Sequence, residues 1–160
     1  VAPIVFAPLP HTGSEFFRRL FQDNGFPLAL TLDEALAGKQ WVRQEFPDLG
    51  SGTEQLDRLL AARPDAVAVT TIRDWSKVEA TWRARGSNMR FLSDRYFPGW
   101  LDFMQKHDPV IVSVDSHRKA RLARLSAALG VELETDWTPV NATADLPRHN
   151  HTFKLPGMVA

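Results

Sequence analysis

The chain has 160 residues, of which 44% are hydrophobic and 24% charged, a composition that suits one globular domain with a packed core and excludes disordered and fibrous classes. Nineteen Lys and Arg balance nineteen Asp and Glu, so there is none of the broad positive field by which non-specific nucleic-acid binders gather phosphate backbones; any anion site has to be local. The absence of cysteine excludes disulfides, thiolate metal sites and a Cys nucleophile, and no apolar run approaches the roughly 20 residues of a membrane-spanning helix.

Residues 4–7 form a short apolar run closed by Pro8, Pro10 and Gly13, which predicts a buried strand meeting a turn. From Ser14 the residues Phe17, Leu20 and Phe21 recur at helical spacing until Asn24-Gly25 supplies a stop. A second strand is expected over 27–32, a short helix over 33–38 and an irregular region over 41–52. Ser51 and Glu54 have capping-box spacing ahead of Leu56, Leu59 and Leu60 and predict a helix over 53–62, which Pro64-Asp65 breaks.

Residues 66–72 (AVAVTTI) read as the next buried strand, with Arg73-Asp74 at its end and Asp74 or Ser76 capping a helix through Arg85. Ligands of open α/β sheets bind at the carboxyl ends of the strands, so a charged pair there marks a candidate site. The aromatic-rich stretch 88–107 is expected to be helical, split near Pro98-Gly99. Residues 110–114 (VIVSV) form the last clear strand, and 117–129 form a helix with Leu122, Leu125 and Leu129 on one face, ended by Gly130. The alternation of strands and helices predicts an α/β fold with a central, mostly parallel sheet flanked by helices in three layers. Residues 1–160 are read as one domain, with 136–160 as an extended C-terminal tail carrying Arg148, His149, His151 and Lys154.

A turn that leaves a buried strand and opens a helix aims several backbone N–H groups at one spot, where the helix dipole adds partial positive charge. Pro10-His11-Thr12-Gly13-Ser14-Glu15-Phe16 occupies this place, with Gly13 free to adopt a left-handed backbone and Thr12 and Ser14 offering hydroxyl donors. The Walker A pattern is absent, since no Lys follows Gly13 and no Gly lies five residues before it.

The stretch PHTGSEFF is similar to the loop of sulfotransferases that use 3′-phosphoadenosine 5′-phosphosulfate (PAPS), where it cradles the 5′-phosphosulfate end of the donor. A second likeness is Arg73 followed eight positions later by Thr81, which resembles that family's 3′-phosphate site. A third is VIVSVDSHRKARLARLSAALGVE, similar to the late strand and helix of bacterial members. The resemblance implies a P-loop-type fold and a sulfotransferase that moves a sulfuryl group from PAPS to a hydroxyl or amine acceptor, and the lack of cysteine, which fits a reducing compartment, makes a cytoplasmic location the expectation.

On that resemblance His11, Thr12, Gly13, Ser14, Glu15 and Phe16 hold the 5′ end of the donor and Arg73, Thr81 and Arg148 its phosphates. His11 stands where the family has a Lys that stabilises the departing oxygen, and it serves that purpose only if protonated. Glu45 is the candidate base for the acceptor, because no His lies between the two donor motifs. No metal is expected, since His149 and His151 have no acidic or Cys partner spaced to complete a site. The expected partners are the nucleotide donor and its acceptor, without nucleic acid or membrane, and a homo-oligomer or assembly partner is left open. The departures at His11 and in chain length keep two alternatives in view: a degenerate family member that binds or assembles without transfer, and a nucleotide or small-molecule kinase. The chain begins at Val1, compatible with a removed initiator Met or with a truncated chain.

Overall fold

A computed structural model describes residues 2–48, 51–86, 90 and 92–134. The 136–160 tail, with Arg148, His149, His151 and Lys154, lies outside the described residues. Four strands, β1 (Ile4–Phe6), β2 (Val42–Gln44), β3 (Val67–Ile72) and β4 (Val110–Ser113), pair in parallel in the order β2-β1-β3-β4. Among the described residues, six α-helices connect and cover them: α1 (Ser14–Asp23), α2 (Leu32–Ala37), α3 (Ser51–Ala62), α4 (Trp75–Ala84), α5 (Phe97–His107) and α6 (Arg118–Leu129). The expected α/β fold with a parallel sheet is present.

Alternation along the strands sends side chains to both faces, and each face has its own core. Ile4, Phe6, Val69 and Val112 pack with Phe16, Phe17, Leu20 and Phe21 of α1 and Leu125 and Leu129 of α6. Val5 and Ala7 pack on the other face with Ala35 of α2, Leu56 and Leu59 of α3 and Phe103 of α5. A third, smaller cluster joins Leu9 to Val78 and Trp82 of α4 and to Phe97 and Trp100 of α5. α4 thus belongs to neither face core and stands beside the segment that leaves β1.

Three local expectations change. The strand expected over 27–32 is a single bridge, Leu28 to Val42, because the Arg43 guanidinium takes the carbonyls of Ala29 and Leu30 and ends the pairing; Leu30 is 68% exposed. The region expected to be irregular contains β2, whose three residues are too few to show a period. The aromatic stretch divides at a π-helical turn, Leu92–Tyr96, before α5, and Gly99 lies against the Pro47 carbonyl so closely that a Cβ would collide with it. Among the described residues, no helix is long and apolar enough to cross a membrane.

Candidate functional site

β2 lies on one side of β1 and β3 on the other, so their connections leave the carboxyl edge of the sheet in opposite directions and open a crevice between the ends of β1 and β3. The 7–13 segment enters this crevice from β1. Its backbone is fastened to β3 from both faces of that strand. Thr70 donates its hydroxyl to the Ala7 carbonyl (2.7 Å) and accepts from the Trp100 indole N–H (2.8 Å). Thr12 donates to the Leu9 carbonyl (2.6 Å), and its hydroxyl also meets that of Thr71 at 2.6 Å.

Thr12 is therefore fully buried and its hydroxyl is engaged inside the fold, so it shapes the loop rather than facing a ligand. Thr71→Val, which removes one hydroxyl and leaves its partner buried, is expected to lower unfolding free energy by about 1–3 kcal/mol in urea denaturation. Thr71→Ser, which keeps the hydroxyl, should lose clearly less.

Gly13 caps α1 in the left-handed region, at φ 80°, and accepts the Phe17 N–H at 3.0 Å. No side chain caps this helix, so the backbone amides of its first turn, from Ser14 to Phe16, form an end with partial positive charge. The Phe16 ring lies in the core under the Arg121 guanidinium (5.2 Å), so only its backbone belongs to this end. Val114, just after β4, backs Gly13.

Arg73 comes to the same place from the end of β3, donating from Nη1 to the His11 carbonyl at 3.3 Å. Its pKa is lowered by burial, while the carboxylates of Asp115 and Asp74 act in the other direction. The His11 ring packs edge-to-face on Trp82 of α4 at 5.3 Å. Burial, then the charges of Arg85 and Arg73, push its pKa from 6.5 down to about 4, so the imidazole is neutral at pH 7. The protonated His11 that would replace the family's loop Lys is absent from this state. The unfolded chain therefore binds a proton at His11 that the folded chain refuses between about pH 6.5 and pH 4, and stability falls as pH falls through that window. The melting temperature is expected to drop from pH 7 to pH 5 in the native chain and to be flatter in His11→Gln.

α4 adds two buried polar groups. Thr81 (5% exposed) and Trp82 (6% exposed) leave the Thr81 hydroxyl and the Trp82 indole N–H without a hydrogen-bond partner among the described residues. Ser76 and Asp74 cap the start of the helix, with the Asp74 carboxylate accepting from both the Ser76 amide and hydroxyl. Beside Arg73, a pocket of about 300 Å³ is lined by Ile72, Arg73, Asp74, Lys77, Ser113 and Asp115. Asp115 accepts from the Asp74 amide and from Lys77 Nζ, both at 2.8 Å, and these contacts hold its pKa below the usual carboxylate value against the effect of burial.

The structure brings His11, Gly13, Ser14, Glu15 and Arg73 to the carboxyl edge between β1 and β3 and sets Thr81 on the helix beside them. Glu45 follows β2 at the same edge, with its amide on the Phe6 carbonyl, but its carboxylate is engaged by Arg43. Arg148 lies outside the described residues. Four contributors were not evident from sequence: Thr71, Trp82, Arg85 and Asp115. The adjacent Thr70-Thr71 at the end of an apolar strand is the one local signal among them, since two hydroxyls there need partners. Among the described residues no cluster of three or more metal-ligating side chains occurs. No protein-family model matches the chain, and no curated protein matches it by sequence.

Proposed function

We propose that the chain is a PAPS-dependent sulfotransferase of P-loop-type architecture that moves a sulfuryl group to a hydroxyl or amine acceptor. One observation carries this reading: the Arg73 guanidinium reaches the carbonyl of His11 in the loop that opens α1. A fixed cation and an uncapped helix start thereby share one crevice, an arrangement suited to a ligand with two separated anionic groups. The amides from Gly13 to Phe16, with the Ser14 hydroxyl, receive the 5′-phosphosulfate. Arg73 and the buried Thr81 hydroxyl receive the 3′-phosphate, and the pocket beside Arg73 offers room for part of the nucleotide.

In the reaction the acceptor oxygen or nitrogen bonds to sulfur while the bridging sulfur–oxygen bond breaks. The electron pair stays on the phosphate oxygen of the departing 3′-phosphoadenosine 5′-phosphate (PAP), and the acceptor loses its proton to a base. Preorganised amides and guanidinium groups favour this step by stabilising the charge that gathers on the leaving oxygen. Glu45 is poorly placed as the base while its carboxylate is held by Arg43.

The neutral state of His11 favours a second reading, a binding or assembly protein that retains the donor site without transfer. Calorimetric titration of the folded protein with PAP and with ATP separates the readings. PAP binding in preference to ATP supports the donor assignment, and sulfate transfer to an acceptor panel then divides enzyme from binding protein. ATP preference favours a kinase, and the absence of PAP binding overturns the sulfotransferase reading.

A further inference from the structure

His11 stands in an enclosure of hydrogen-bond donors and positive charge. The loop itself contributes no ionisable side chain besides His11. Arg73, the residue after β3, bonds the His11 carbonyl, α4 contributes the Trp82 ring that contacts the imidazole, and Arg85, which caps the end of α4, acts on the ring through its charge. Behind Trp82 lies Tyr96 of the π-helical turn, at 5.9 Å between rings. α1 contributes its uncapped first turn, with Glu15 half-buried in it.

Of the other nearby carboxylates, Asp74 and Asp115 bear on Arg73, and all are hydrogen-bonded within the fold. Asp74 caps α4, Glu79 accepts from the Trp75 indole, and Asp115 holds Lys77 and the Asp74 amide. Among the described residues the buried Thr81 hydroxyl and Trp82 N–H have no hydrogen-bond partner, which leaves α4 two donors to offer. An anion entering such an enclosure reverses the electrostatics at the imidazole, because a negative charge beside it offsets Arg73 and Arg85 and favours the charged form.

We propose that this crevice takes up its phosphate- or sulfate-bearing ligand together with one proton, carried by His11, so that the loop gains its cation only when the ligand is in place. The inference rests on the donor-site reading above and extends it to His11. In the empty crevice burial and the two arginines keep the ring neutral. In the occupied crevice the ring becomes an imidazolium beside the charged group, able to stabilise the leaving oxygen as a Lys would. Linkage requires the converse: lower pH must tighten binding over the range between the empty-site and occupied-site pKa values of His11.

Two probes keep the outcomes distinct. Sulfate stays a dianion across the range of interest, so a pH dependence of its binding belongs to the protein, whereas PAP tests the nucleotide site. The ring resonances of His11, assigned by their loss in His11→Gln, are followed by NMR during titration with each probe. The expected result is an upward shift of the His11 titration midpoint on binding, and an affinity for sulfate about tenfold higher at pH 5 than at pH 7. His11→Gln should bind weakly and without this dependence, while His11→Lys should bind tightly at both pH values. PAP binding that leaves the His11 midpoint unmoved overturns the inference and leaves the donor reading intact. No PAP binding in any form overturns the donor reading, and sulfate binding that persists unchanged in His11→Gln is an adventitious ion only and overturns the inference.

Discussion

Arg73→Ala is expected to weaken PAP binding by about 3 kcal/mol, roughly a hundredfold, with little effect on folding. The guanidinium sits half-buried where β3 ends, and burial already disfavours its charge, so a phosphate gains a donor fork that water compensates poorly. Its bond to the His11 carbonyl is long, at 3.3 Å, and the Thr12–Thr71 and Thr70–Ala7 contacts hold the loop without it. Arg73→Lys should recover only part of the affinity, because an ammonium cannot reproduce the fork. Calorimetry with PAP measures the binding loss, and a urea transition at the native midpoint shows that the fold is kept. An unchanged dissociation constant in Arg73→Ala would remove the 3′-phosphate assignment.

Gly13→Ala is expected to be the most damaging single-methyl change in the crevice. A non-glycine residue at φ 80° costs about 1–2 kcal/mol for the backbone alone. The added Cβ would also stand 2.9 Å from Cγ2 of Val114, so that side chain or the loop has to move. The combined loss should be about 2–4 kcal/mol of stability by denaturant unfolding, accompanied by weaker PAP binding because the amides of the first turn shift. Pairing it with Val114→Ala should restore the steric part and leave the backbone part, so the double variant falls between the native chain and Gly13→Ala.

Much of the architecture is legible in local patterns. The spacing of Phe17, Leu20 and Phe21 marks α1 because those residues face one core, and the run ending in Thr70-Thr71-Ile72 marks β3 because it is covered on both faces. β2 escapes detection, since its existence depends on the partner β1 rather than on its own three residues. The 27–32 run misleads for the opposite reason: its apolar residues suit a strand, while Arg43, distant in sequence, ends the pairing. At the crevice, Gly13 and Arg73 can be picked out from motif and position. The internal engagement of Thr12 cannot, because its partner is 59 residues away, and neither can the neutral state of His11, which burial and then Arg85 and Arg73 set after folding.

Consecutive threonines on β3 grip the 7–13 segment from opposite sides, one at Ala7 and one at Thr12. The curvature of the turn is thereby inherited from a neighbouring strand rather than encoded where it occurs. Grafting this turn onto another parallel sheet would carry its chemistry without its shape unless both threonines travelled with it, whereas residues that merely decorate the rim could be exchanged to retune the ligand.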